Sequence, residues 1–144
     1  MRRFVTGVDV EGRSCLVEEA ALDLVADPGF PGFLSAVVAA TSAAPPPARP
    51  AGQAFNASVL GVAPGLVSWL IVDYEANIAF PMHHTDTLDY DLLLDGSMVL
   101  GLEDGDHALE AGDIVIVNGV DHSWRAGPEG ARLSVLSIGT PPPG

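Results

Sequence analysis

Residues 112–125 read Gly112-Asp113-Ile114-Val115-Ile116-Val117-Asn118-Gly119-Val120-Asp121-His122-Ser123-Trp124-Arg125. Four β-prone aliphatic residues stand between the turn signals Gly112-Asp113 and Asn118-Gly119, the pattern of a short buried strand with a turn at each end. His122 then opens the next strand. Side chains alternate along a strand, so Trp124 shares the face of His122 and Arg125 takes the opposite one.

The stretch upstream at 81–96 reads Pro81-Met82-His83-His84-Thr85-Asp86-Thr87-Leu88-Asp89-Tyr90-Asp91-Leu92-Leu93-Leu94-Asp95-Gly96. It sets two of the four histidines, with Asp86, Asp89 and Asp91, just ahead of an apolar strand. Polar groups that dense beside a core strand have two explanations. In a plain loop, Asp and Thr satisfy turn geometry and the histidines face water. In a site, His and carboxylate together serve metal ligation or proton transfer.

Outward from these stretches, strand signals recur at 66–73, 90–94, 98–102, 107–109, 114–117, 123–126 and 133–138, with turns at 103–106, 111–113 and 118–119. The run at 66–73 is apolar on both faces, with Trp69 in its middle, and is expected to be a central strand. Regular short strands without a convincing helix predict an all-β fold of the jelly-roll type. Toward the amino terminus, 4–9 and 14–18 predict a hairpin across Glu11-Gly12-Arg13. Residues 20–25 fit either a helical turn or a strand end, and 34–41 is read as a strand. Pro45, Pro46, Pro47 and Pro50 make 43–53 a surface loop. At 144 residues one domain with a single core is expected. Its parts are amino-terminal strands and loop at 1–56, a barrel core at 66–138 and a tail at 139–144.

Together the two quoted stretches resemble the cupin superfamily, whose first motif runs His-x-His, three or four residues, Glu, six residues, Gly. Its second runs Gly, five residues, Pro-x-Gly-x-x-His. The second motif falls on Gly112, Gly119 and His122, with Val117 in the place of Pro; the first falls on His84, Asp89 and Gly96. Met82 stands where the first His belongs, and Asp89 replaces Glu. His83 is one residue out of register, which in a strand turns a side chain to the other face. The string from His83 to Tyr90 looks like that of small single-domain cupins, and the resemblance covers about residues 66–138. It implies a double-stranded β-helix, or jelly-roll barrel, with an amino-terminal β extension.

The resemblance further implies that His84, Asp89 and His122 converge inside the barrel, with His83 at its rim. Trp69, Phe80, Met82, Tyr90, Asp91 and Trp124 are the candidate substrate lining. His84, Asp89 and His122 would also form a three-ligand site for one divalent transition metal (Fe, Mn, Ni or Zn). Without a metal, the same cluster suits transfer of a proton between a His and an acid. The reading is a lyase or isomerase that dehydrates, decarboxylates or isomerises a small, largely apolar carbonyl compound or organic acid, aromatic or polyketide-like. The alternatives are a metal-dependent cupin dioxygenase, a small-molecule-binding cupin without turnover, and a structural protein with degenerate motifs. His107, beside Asp104 and Asp106, is expected at the surface.

Composition narrows the partners. Nineteen acids against six bases give a net charge of −13, which repels phosphate backbones and anionic membranes. All six bases are Arg, so Schiff-base chemistry and a lysine-held phosphate are excluded. Cys15 is the only cysteine, leaving neither an intramolecular disulfide nor a thiolate cluster. No apolar run reaches the ~18 residues of a membrane span, and the amino terminus has no signal-peptide core. A cytoplasmic location and a homodimer paired through the amino-terminal strands are expected.

Overall fold

The computed structural model describes residues 1–21, 23, 25, 26, 34, 35 and 63–142. The expected loop at 43–53, most of the expected strand at 34–41 and the end of the tail lie outside the described residues. Among those described, regular structure is all strand. The amino-terminal hairpin is β1 (Arg2–Val8) and β2 (Ser14–Ala21); β3 (Val25–Ala26) and β4 (Leu34–Ser35) pair with each other. Then follow β5 (Val67–Tyr74), β6 (Ala79–His83), β7 (Thr87–Leu102), β8 (Gly105–Glu110), β9 (Ile114–Asn118) and β10 (His122–Gly139).

Two long strands organise the molecule. β7 and β10 pair along most of their length, and each replaces two shorter strands expected from the sequence. Gly96 does not end a strand. It meets Gly130 at a corner where both adopt positive φ, 79° and 80°. A Cβ on Gly96 would lie 2.1 Å from the Gly130 carbonyl oxygen, so the crossing is open only to glycine. The pairing register shifts there, between Ala126 and Ala131, and the sheet bends.

The bend divides the eight-stranded sheet into two layers. The first runs β2-β1-β9-β7-β10-β5 and uses the start of β7 and the end of β10. The second contains β8, the end of β7, the start of β10, and β6. β1 runs parallel to β9, extending the first layer. The dry core includes Phe4, Leu93, Met98, Leu100, Leu109, Val115, Val117 and Leu133.

β5 departs from expectation. It lies at one end of the sheet order and pairs with β10 alone among the described strands. One face, with Val67, Trp69 and Ile71, is exposed, while Leu70, Val72 and Tyr74 turn the other way. The apolar run that suggested a central strand is therefore one inner face and one exposed apolar stripe. β6 had no strand signal because it contains Pro81; an edge strand accommodates a residue without an N–H donor. No helix among the described residues is long and apolar enough to cross a membrane.

Candidate functional site

A cavity of about 280 Å³ lies where the start of β7 and the end of β10 face β6 and the start of β10. Its walls are mostly apolar: Leu70 and Val72 from β5, Leu133 and Val135 from the end of β10, Phe80 from β6 and Trp124 from the start of β10. Tyr74 and Phe80 meet edge to face at 5.5 Å, joining β5 to β6 along one side. The polar groups come from a few positions. Alternation on β7 turns Thr87, Asp89 and Asp91 inward together, and Ser137, His122 and His83 complete the set with Thr85.

The two imidazoles are held alike. His122 is 4% exposed, and its Nδ1–H donates to the Val120 carbonyl oxygen at 2.8 Å. At the mouth of the cavity, the Nδ1–H of His83 donates to the Pro81 carbonyl oxygen at 2.9 Å. A carbonyl only accepts, so in each neutral ring Nδ1 carries the proton and Nε2 keeps its lone pair. The rings are 4.6 Å apart, and Trp124 meets His122 edge-on at 5.8 Å. Burial lowers the pKa of His122 from its ordinary value, and nearby His83 adds to that fall, against the opposing bond to Val120. His122 is thereby poised as a neutral base.

The two carboxyls differ. Asp89 accepts a hydrogen bond from the Ser137 hydroxyl at 2.6 Å, directly across the β7–β10 pairing. Asp91 is 4% exposed, and its Oδ1 is buried without a hydrogen-bond partner among the described residues. Burial raises its pKa well above the usual carboxylate value, with the charge of Asp89 adding to the rise. This environment thus favours the neutral acid over the carboxylate at Asp91.

The structure brings together His122, His83, Asp89, Asp91, Phe80 and Trp124 of the residues singled out from the sequence. The expectation that His84 faces inward is corrected. β6 pairs His83, not His84, with His122; His84 lies exposed beyond the strand, its Nδ1 3.1 Å from Asp121 Oδ1. Three more expected lining residues lie elsewhere. Trp69 is 77% exposed on the outer face of β5, where its indole N–H donates to Ser134 Oγ. Met82 lies outside the lining, half-exposed on β6, and Tyr90 alternates with Asp89 and Asp91 onto the other face of β7. His107 bonds Asp104 at 2.8 Å, away from the cavity. Tyr74, Thr87 and Ser137 were missed; period-two alternation from Asp89 would have found Thr87.

The three-ligand metal set does not assemble. His84 is directed to Asp121, and no group of three or more His, Cys, Asp or Glu among the described residues is arranged to hold a metal ion. His83 and His122 offer two free Nε2 atoms, fewer than the three side chains the sequence suggested.

The fold and cavity define an all-β protein with a small-molecule-sized chamber between two layers of one bent sheet. No family model matches the chain. It is similar to phomopsin biosynthesis cluster protein C' of Diaporthe leptostromiformis, 38% identical over 56 residues, which cover 38% of this chain and 30% of that protein. The chain thus spans under a third of that relative. Among solved structures it is similar to a cupin-2 domain containing protein from Shewanella frigidimarina. That match is 24% identical, covers 49% of this chain and 68% of the other, and has a TM-score of 0.43. It is also similar to a sugar phosphate isomerase from a cupin superfamily, from Silicibacter pomeroyi. There the identity is 18%, the coverage 52% of each chain and the TM-score 0.45.

Proposed function

We propose that the cavity binds a small, largely apolar carbonyl compound or organic acid and moves a proton on it. The observation that carries this reading is the pairing of opposites in one chamber. His122 offers a buried imidazole with a bare Nε2, and Asp91 a buried carboxyl with an unpartnered oxygen. An imidazole and a carboxyl that burial each favours in the neutral form are suited to act as base and acid. His122 Nε2 takes a proton from the carbon next to the carbonyl. The C–H electron pair moves toward the carbonyl oxygen, and that oxygen receives the Asp91 proton. An enol, an imidazolium and a carboxylate result, and return of a proton to a different atom completes an isomerisation or sets up loss of a leaving group. His83 stands at the mouth beside His122, and Ser137 holds Asp89 in place. The likeness to a biosynthesis cluster protein accords with a small-molecule substrate.

The test is exchange of the methyl protons of acetophenone in D2O, followed by NMR. Wild-type protein accelerates the exchange, while His122→Gln and Asp91→Asn each lower the acceleration by about 100-fold or more. His84→Ala, outside the cavity, leaves it unchanged. Equal rates for wild type and His122→Gln would sink the reading.

A further inference from the structure

The charges around the cavity say what kind of ligand it accepts. The described arginines Arg2, Arg13, Arg125 and Arg132 bond carboxylates on the outside of the sheet, and Arg3 bonds Glu18. No arginine is among the described residues of the lining. A carboxylate or phosphate entering there would lose its water without gaining a cation, a loss that a chamber of this polarity does not offset. It would also approach the Asp89 carboxyl. Among the described residues, Asp91 Oδ1 lies buried without a hydrogen-bond partner, and the Nε2 atoms of His122 and His83 are free. A hydroxyl donates and accepts at once, so one such group on the ligand suits the buried Asp91 Oδ1. The rest of the lining offers Leu70, Val72, Phe80, Trp124 and Val135 to a ring or short chain.

Resting on the reading that this cavity is a small-molecule site, we propose that it selects uncharged ligands bearing a hydroxyl or enol, which hydrogen-bonds Asp91 Oδ1. Anionic analogues are rejected. Of the carbonyl compounds and organic acids considered above, the anionic acids are thereby excluded. An unpaired buried polar atom penalises an analogue that lacks the matching group more than any apolar contact rewards it.

Phenol, toluene and benzoate share one ring and differ at one substituent, which makes them suitable probes. Binding is followed at neutral pH through the Trp124 indole resonance, with Trp69, outside the cavity, as internal reference. Phenol is expected to bind about tenfold more tightly than toluene, and benzoate most weakly. Asp91→Val brings the ratio of phenol to toluene to about one, and Asp89→Asn strengthens benzoate. The wild-type ranking requires no variant to fold. Benzoate binding as well as phenol, an unchanged ratio in Asp91→Val, or no response of Trp124 to any of the three overturns the proposal. Since binding is read without turnover, its failure leaves the acetophenone result standing, and the reverse holds too.

Discussion

The two halves of β7 are buried alike and built oppositely. Before the corner, Thr87, Asp89 and Asp91 face inward at 3%, 9% and 4% exposure; after it, Met98, Leu100 and Leu102 do so at 2%, 0% and 4%. Depth alone therefore does not make a core. The later half meets other hydrocarbon, and its burial stabilises the fold by roughly 25 cal/mol for each Å² of apolar surface removed from water. The earlier half takes polar groups to the same depth around a chamber. Asp91 Oδ1 is left there without a partner among the described residues, a cost a purely structural strand would avoid by carrying Val or Leu.

The sharpest way to break the comparison is to truncate both halves. Leu100→Ala should destabilise by about 2–5 kcal/mol in chemical denaturation, the range for a fully buried leucine. Asp91→Ala should cost far less, since it removes an unpaired carboxyl. Equal losses would mean that the polar half is as tightly packed as the apolar one. Next in size is the junction itself. Gly96→Ala forces a Cβ against the Gly130 carbonyl at positive φ, so a loss of at least ~2 kcal/mol is expected. A neutral outcome would show that the corner relaxes.

The smallest effect is a pH dependence. Between the ordinary carboxylate value of 3.8 and the raised value of Asp91, the folded protein keeps a proton that the unfolded chain has released. Stability therefore falls as pH rises through that window, and the loss persists above it. Asp91→Asn abolishes this slope, so its stability relative to wild type should grow as pH rises from 4 toward neutral. His122 runs the other way. Its lowered pKa makes its contribution full above 6.5 and lost as pH falls below that value. It does so in both proteins and cancels from the difference. A constant difference across pH would show that Asp91 ionises normally.

Much of this was legible in the residues. The strand at 114–117, its turn at Gly119 and the inward pair His122 and Trp124 follow from alternation and turn chemistry alone. Asp89 and Asp91 share a face because they are two apart. His83 was obscured because its position depends on where β6 pairs with β10, and that register shifts between His122 and Trp124. A bulge of this kind leaves no trace in composition or period. Trp69 misled for a related reason. Its strand is apolar on both sides, so nothing in the pattern tells the cavity face from the exposed one. Gly96 looked like a strand end, since a glycine at positive φ reads the same in a turn and in a bend.

The shared strands carry a consequence for cooperativity. β7 and β10 hydrogen-bond to each other on both sides of the corner, so neither layer can melt while the other keeps its ladder intact. Backbone amides of the chamber wall and of the hydrocarbon half should then exchange with deuterium in one common, global opening. A ligand held by a few side chains at one end would slow that opening everywhere along the ladder.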